Sequence, residues 1–254
     1  MIFEISPKDR HYLKDIFENC NYDKVLIQSI LEGGNGNSYA DSVQNPKVAR
    51  LDIGAFTIIA GDCTIKETKE LFEIEKRIDY ITPQNIEWEK FIKNYYDNKI
   101  NTIEFISYNH EFIKEEYLEE TIKKLPQEYI IKRIDRSLAE RLKKEIGNEY
   151  FFENYISIED FLEKGIGYCI LHNEEIVSAA LSMASAKKAI DIEIETVEKY
   201  RNKKLGKIIG AKLIKYCLEE DIIPYWLAAN EISNKLALSL GYIEKERYKT
   251  FEIL

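Results

Sequence analysis

The residues best suited to chemistry lie in one stretch, from Ile190 to Gly210, where a run of acids is followed by a run of bases. Apolar and acidic residues alternate over positions 190–195, which is the period of a β-strand with two different faces. Neighbouring carboxylates raise one another's pKa, which favours a proton acceptor near neutrality. A merely solvated face, or one that binds a cation without taking its proton, is the alternative. The three acids that share this face are Asp191, Glu193 and Glu195.

A short basic turn follows the acidic strand and leads directly into an amphipathic helix. Such a turn leaves backbone N–H groups unpaired, and the positive end of the helix points at the same place. This arrangement predicts a phosphate site that is formed mainly by the N–H groups of residues 201–206. For the individual side chains, a solvated helix start is the alternative. The five cations between residues 199 and 207, where no acid occurs, are Lys199, Arg201, Lys203, Lys204 and Lys207.

Composition restricts the class of protein. The formal charge of −9 argues against a nucleic-acid-binding protein. No window approaches eighteen apolar residues and the first residues lack a basic start before an apolar run, so we expect neither a membrane span nor a signal peptide. The cysteines are far apart, which indicates a reduced, cytoplasmic protein without a metal site. They are Cys20, Cys63, Cys169 and Cys217.

The order of predicted elements divides the 254-residue chain into two parts. We expect a smaller mixed α/β domain over residues 1–125, a boundary near Leu125-Pro126-Gln127, and a second domain over residues 126–254. The second domain reads as strand, two helices, hairpin, strand, basic turn, helix, strand, helix, strands. This order predicts a mixed, mostly antiparallel sheet flanked by helices.

Capping residues and turn-forming residues predict the bounds of several helices and strands in the second half. Asp135 and Ser157 are suited to cap helices over residues 137–146 and 158–164, and Asp160 stands where a capping box has its acid. The other predicted elements are a strand over Ile222–Ala228 that contains Pro224, a helix over Asn230–Leu240 and a final strand pair over Tyr242–Leu254.

This order of elements resembles the fold of the GNAT superfamily of N-acetyltransferases. The acetyl-CoA turn of that family, Gln/Arg-x-x-Gly-x-Gly/Ala, corresponds here to Arg201-Asn202-Lys203-Lys204-Leu205-Gly206. The family's later signature, an Asn followed by a helix and Gly-Phe, corresponds to Asn230 and Gly241-Tyr242. Further blocks are similar to a two-domain branch related to zwittermicin A resistance proteins. They are residues 161–168, 192–196 and 224–226, together with Asp41, residues 45–46, residues 60–62 and Trp88.

The resemblance implies an N-acetyltransferase that moves the acetyl group of acetyl-CoA directly to a primary amine of a small, cationic, antibiotic-like molecule. A carboxylate, directly or through water, would take the amine's proton, and no metal would be needed. Asp191 matches a position where many relatives carry a catalytic Glu and is the first candidate for the base; Glu193 is the second. The implied cofactor contacts are Thr196, Val197, Arg201, Asn202, Lys203, Lys204, Leu205, Gly206, Lys207, Asn230 and Ser233.

Two departures from the family pattern support a second hypothesis. Lys204 replaces the first glycine of the turn, and Ala237 stands where many relatives carry a Tyr that protonates the leaving thiolate. A non-catalytic acyl-CoA-binding module, acting as a sensor or subunit, is therefore the alternative. Asn230 and Ser233 either reach the cofactor or cap the last helix. The first domain is a candidate for a degenerate GNAT-like unit that shapes the acceptor cleft, in a monomer or homodimer.

Overall fold

The computed structural model describes residues 1–20, 23–75, 78–97, 99–148 and 151–254. Its contacts divide the chain into two compact units, one of Met1–Phe105 with Arg247–Leu254 and the other of Ile106–Glu246. This division does not coincide with the expected boundary at residue 125, because the segment from residue 106 to 125 contacts the second unit.

The first unit is built on a mixed sheet. Strands β1 to β5 follow one another in space, and the end of β13 pairs with β5. Only β4 and β5 are parallel within this set. Its core contains the fully buried Trp88, whose indole Nε1 donates to the carbonyl of Gly61 at 2.8 Å. The strands are β1 (Phe3–Glu4), β2 (Asn37–Ala40), β3 (Val48–Ile53), β4 (Phe56–Gly61), β5 (Tyr80–Pro83) and β13 (Ile243–Ile253), and the helices are α1 (Lys14–Phe17), α2 (Lys24–Leu31), α3 (Glu67–Phe72) and α4 (Ile86–Tyr96).

The second unit is built on a five-stranded sheet in the order β11-β10-β9-β8-β7. All neighbours are antiparallel except β10 and β11. This mixed, mostly antiparallel sheet with flanking helices confirms the expected fold class. The strands of this sheet are β7 (Tyr129–Arg133), β8 (Gly167–His172), β9 (Glu175–Ala186), β10 (Ala189–Thr196) and β11 (Ile223–Tyr225), and the helices are α5 (Glu115–Ile122), α6 (Arg136–Ile146), α7 (Ile158–Lys164), α8 (Leu205–Glu219) and α9 (Glu231–Ser239). Two further strands, β6 (Ile100–Asn109) and β12 (Leu227–Ala228), pair with each other antiparallel outside this sheet.

The register between β9 and β10 contains one irregularity. Asp191 lies opposite Ala184, but the next residue, Ile192, lies opposite Ser182. The extra residue, Met183, is therefore on β9, and β10 itself stays regular.

The predicted helix caps are present. The side chain of Asp135 accepts from the N–H of Leu138 at 2.9 Å, and that of Ser157 accepts from the N–H of Asp160 at 3.2 Å. The carboxylate of Asp160 in turn accepts from the N–H of Ile156. Here the acid reaches one residue before the cap rather than the cap itself, as its short arm allows.

Two predicted elements are corrected and one helix is added. The single strand over residues 222–228 is two strands, because the chain leaves one ladder after Tyr225 and joins another at Leu227. The final strand pair is the single strand β13, since residues 243–253 contain neither Gly nor Pro to form a turn. Helix α5 was not predicted, because it has only eight residues and no side-chain cap.

Candidate functional site

The centre of the second unit is a pair of parallel strands that separate. Strands β10 and β11 pair only from Ala189 to Asp191, after which β11 ends at Tyr225 while β10 continues to Thr196. On its other edge, the N–H of Val197 donates to the carbonyl of Val177 at 3.0 Å. Antiparallel pairing alternates, so the N–H and C=O groups of Ile192 and Ile194 face the open edge instead.

A cleft of about 820 Å³ occupies this opening. One wall is the cleft side of β10, another is the basic turn with the start of α8, and the third is the start of α9. The volume lies in the range of sites for cofactors and small molecules. The lining residues that the sequence singled out are Thr196, Arg201, Asn202, Lys204, Leu205, Gly206, Lys207, Asn230 and Ser233.

The basic turn is held in a shape that is unusual for its residues. Asn202 and Lys204 both have left-handed backbones, with φ of 64° and 63°. The first helical hydrogen bond of α8 runs from the N–H of Ile208 to the carbonyl of Lys204 at 3.0 Å. The N–H groups of residues 205–207 precede this bond and have no carbonyl partner within the helix. Because these residues line the cleft, their N–H groups and the helix dipole form a site for an anion.

Helix α8 lies very close to β10, and two glycines permit this. A Cβ at Gly206 would lie 3.2 Å from Oγ1 of Thr196, and one at Gly210 would lie 2.7 Å from Cδ1 of Ile194. A Cβ at Gly210 would therefore force a shift, and a Cβ at Gly206, the second glycine of the turn, would require Thr196 to move by a few tenths of an ångström.

The cations of the turn have different partners. Arg201 contacts Glu195 at 3.2 Å and donates from Nε to the carbonyl of Thr196 at 3.1 Å, so it ties the turn to β10. Lys207 donates to the hydroxyl of Tyr117 at 2.8 Å. Lys204 is exposed and has no ion pair within the described residues. A ligand phosphate would therefore not have to displace a protein carboxylate from Lys204.

Two of the expected cofactor contacts do not line the cleft. Lys203 places its ammonium 4.9 Å from the ring centroid of Tyr200. The N–H of Val197 is used in the sheet by the carbonyl of Val177, so it is not available to a thioester carbonyl. The N–H of Thr196 is at the cleft but donates to the carboxylate of Glu195 at 3.0 Å.

The start of α9 shows which of Asn230 and Ser233 caps the helix. Asn230 is the cap, because its side-chain oxygen accepts from the N–H groups of Ile232 and Ser233, both at 3.0 Å. This leaves the amide nitrogen of Asn230 as its ligand donor. Ser233 is not a cap: its hydroxyl accepts from the indole Nε1 of Trp226 at 3.0 Å. Both residues line the cleft.

The three acids of β10 lie on the opposite strand face from the residues that pack against α8. Asp191 is only 3% exposed. Glu193 is partly buried and accepts a hydrogen bond from Nδ2 of Asn148 at 2.9 Å. Burial raises the pKa of Glu193 to about 7, with smaller contributions from the charges of Glu195 and Glu153. Glu195 is paired with Arg201.

The two candidates for a base lie in different environments, and neither of them lines the cleft. Glu193 combines partial access with a pKa near neutrality, which is what a proton acceptor working near pH 7 needs. The sequence favoured Asp191, but its burial leaves little room for a substrate amine to reach it directly. Asp191 is still paired with Tyr225 of β11, whereas Glu193 lies beyond the end of that pairing, and the alternation within β10 does not predict this difference.

The hydroxyl of Tyr108, on β6, contacts α9. The alternation over residues 101–108 predicts this strand but not the contact. Ala237 is fully buried and brings no acid to the site. One turn earlier on the same helix, the side-chain oxygen of Asn234 accepts from the hydroxyl of Tyr108 at 2.7 Å. The hydroxyls of Tyr200 and Tyr242 contact His172 and the carbonyl of Pro224, at 3.0 and 2.8 Å.

Comparison with known proteins gives consistent results. A family model described as GNAT acetyltransferase matches residues 14–251. The protein YdfB of Bacillus subtilis (strain 168), described as an uncharacterized N-acetyltransferase, is 24% identical over 260 residues, which cover 98% of this chain and 97% of that protein.

Solved structures show the same architecture. A GCN5-related N-acetyltransferase-like protein from Streptococcus suis 89/1591 has a TM-score of 0.85 at 31% identity, over 97% of this chain and 99% of that one. A tandem GNAT protein from the clavulanic acid biosynthesis pathway has a TM-score of 0.63 at 8% identity, over 99% and 98% of the two chains, which shows the fold alone. Within the described residues, no helix has the length and apolar character to cross a bilayer.

Proposed function

The chain belongs to the GNAT acetyltransferase family and is an N-acetyltransferase, and from this premise we propose that it acetylates the primary amine of a small cationic molecule with acetyl-CoA as donor. The observation that carries the proposal is the separation of β10 from β11 directly before the N-terminus of α8. An anion site and an open strand edge lie in one cleft, as the pyrophosphate and the adjoining pantetheine arm of coenzyme A require.

The pyrophosphate is assigned to the turn. The N–H groups of residues 205–207 would donate to its oxygens, and the helix dipole favours its charge. Lys204 adds a cation that has no partner in the described part of the chain. The amide nitrogen of Asn230 donates from the opposite wall.

The pantetheine arm is assigned to the open edge of β10. That arm carries two amides, and the exposed N–H and C=O groups of Ile192 and Ile194 would pair with them as a neighbouring strand would. This supports a bound arm that runs along β10 with its thioester toward Asp191, where the two strands begin to separate.

Glu193 is assigned as the base. The neutral amine attacks the thioester carbonyl carbon, and its proton passes to the carboxylate of Glu193 directly or through one water. A new N–C bond forms, the C–S bond breaks, and the electron pair leaves with the sulfur. Asp191 remains the second candidate.

The absence of a Tyr at position 237 does not argue against catalysis. A thiol has a pKa near 8.5, so a thiolate is a tolerable leaving group near neutral pH even without a general acid. We therefore expect Ala237 to slow the protonation of the leaving thiolate. We do not expect it to convert the protein into one that only binds an acyl-CoA.

The acceptor is assigned a positive charge because the strand face that carries the base is acidic throughout. The face carries Asp191, Glu193 and Glu195, the last paired with Arg201, and the charge of Glu153 also acts on Glu193. An acceptor with a second cation, as in many amine-containing antibiotics, would be attracted to such a face.

The test has two stages. Thermal melting with and without acetyl-CoA measures cofactor binding, because a ligand at a hundred times its dissociation constant stabilises a fold by about 2.7 kcal/mol. We expect acetyl-CoA to raise the melting temperature of the wild-type protein, and we expect the Arg201→Ala/Lys204→Ala double variant to lose this increase. No shift at saturating acetyl-CoA would contradict the assigned cleft.

The second stage measures thiol release from acetyl-CoA with a panel of mono- and diamines. We expect release that depends on the acceptor and is fastest with diamines. Binding of acetyl-CoA with no release for any amine would favour the non-catalytic acyl-CoA-binding module.

A further inference from the structure

The second unit has another cavity, which shares no lining residue with the cofactor cleft. This groove has a volume of about 610 Å³ and lies between α5, α8, β7 and β8. Its apolar surface comes from Ile122, Ile131 and Tyr168. The volume is that of a site for a small organic molecule.

The charged residues of the groove are mainly cations, in a chain whose net charge is −9. Lys215 is neutralised by ion pairs with Glu119 at 3.2 Å and with Glu219. Lys123 lies 4.0 Å from Glu119, at the limit of an ion pair. The four cations are Lys123, Arg133, Lys212 and Lys215, and Glu119 is the acid of the lining.

Two of these cations have aromatic rings as neighbours instead of carboxylates. The guanidinium of Arg133 lies 5.3 Å from the ring centroid of Tyr216, and the ammonium of Lys212 lies 5.0 Å from that of Tyr168. Neither forms an ion pair with a carboxylate among the residues that the structure describes. A ring face holds a cation in place without neutralising it.

Tyr168 supplies an independent observation. The residue is only 7% exposed and lines the groove, yet its hydroxyl has no hydrogen-bond partner in the described part of the chain. Burial raises its pKa, so the phenol stays a hydrogen-bond donor at neutral pH. The hydroxyl is not among the buried polar atoms that lack a partner, so it reaches the solvent in the groove and is available to donate to a ligand oxygen.

We propose that this groove binds a small organic phosphate, with the phosphate group held by Arg133, Lys212 and the Tyr168 hydroxyl and the organic part on Ile122 and Ile131. A phosphate monoester carries nearly two negative charges at pH 7, which matches two unpaired cations. The planar fork of an Arg suits two phosphate oxygens. The apolar surface distinguishes an organic phosphate from the inorganic ion.

The test is calorimetric titration of the whole protein with adenosine 5′-monophosphate, glucose 6-phosphate and inorganic phosphate. The variants are Arg133→Ala, Lys212→Ala and Tyr168→Phe, the last of which keeps the ring and removes only the hydroxyl. Lys132→Ala is the matched control, because this exposed cation neighbours Arg133 on β7 but does not line the groove. Arg201→Ala tests whether a probe binds in the cofactor cleft instead. Melting curves confirm that each variant is folded.

We expect at least one organic phosphate to bind, with a dissociation constant that rises tenfold or more in Arg133→Ala and in Lys212→Ala. Tyr168→Phe should weaken binding severalfold, and Lys132→Ala and Arg201→Ala should leave it unchanged. The proposal is overturned if no probe binds, if binding survives both groove substitutions, or if inorganic phosphate binds as tightly as the esters. None of these results depends on acetyl transfer.

Discussion

Asn148 donates a hydrogen bond to the carboxylate of Glu193 over 2.9 Å, and this bond opposes the effect of burial on that carboxyl. Burial disfavours the charged form and raises the pKa to about 7, while the hydrogen bond stabilises the charged form and lowers it. The balance leaves Glu193 half-ionised near neutral pH, so small changes around it should be visible in the pH dependence of both activity and stability.

Glu193→Gln should lower kcat/KM by about 10²- to 10⁴-fold, the range for loss of a general base. For the wild-type protein, kcat/KM should rise as the pH increases through about 7, since the base must be ionised. The variant should lose this dependence. Steady-state kinetics from pH 5.5 to 9 measure both effects. If Asp191→Asn has the larger effect and Glu193→Gln keeps the pH profile, Asp191 is the base.

Asn148→Ala should move the rising limb of the pH profile to higher pH. The substitution removes a donor to the carboxylate, so the pKa of Glu193 rises further. We expect a shift of roughly half to one unit, with little change in kcat/KM on the plateau. A profile that falls uniformly at every pH would mean that Asn148 acts on structure rather than on the titration.

Glu193 should also make stability depend on pH. Its pKa is raised from 4.5 to about 7 in the folded protein, so the folded state binds the proton more tightly than the unfolded state. This contribution to the free energy of unfolding is fully present below pH 4.5 and is lost as the pH rises through about 7. Urea unfolding at pH 5 and pH 8 measures it. Glu193→Gln should gain stability relative to the wild type at pH 8, and an equal difference at both pH values would disprove the linkage.

Lys204→Gly should stabilise the turn by about 1 kcal/mol, because a left-handed backbone is strained for a residue with a Cβ. The φ of Lys204 is 63°. The same substitution removes a cation from the cleft, so affinity for acetyl-CoA should fall and depend less on salt. Lys203→Gly is the control, because Lys203 is not among the left-handed residues and should gain nothing. A less stable Lys204→Gly protein would refute this account of the turn.

The basic turn and its neighbours were predictable because they depend on local pattern. The alternation over residues 190–195, the cations before α8 and the caps Asp135 and Ser157 all have local physical causes, and β10, α8 and both caps are present. The hydrogen bond from Asn148 to Glu193 joins residues 45 positions apart. No local pattern reports such a contact.

The sequence pattern also did not predict that β10 and β11 separate. Residues 222–228 are apolar enough for one strand, and only the ladders show that Leu227 and Ala228 pair with β6 instead. The use of Val197's N–H in the sheet depends in the same way on the register with β9. Secondary-structure propensity predicts whether a segment is a strand or a helix. The site depends on which backbone N–H and C=O groups each strand leaves unpaired at its edge, and that depends on pairing between distant segments.

The position of the extra residue Met183 on β9, rather than on β10, has an evolutionary consequence. The chemistry of β10 depends on odd and even positions, because the acids occupy one face and the isoleucines the other. An insertion of one residue into β10 would exchange those faces and send carboxylates into the packing against α8. We therefore expect β9 to tolerate a change of one residue in length at this point, whereas β10 would keep its two faces only after changes of two residues.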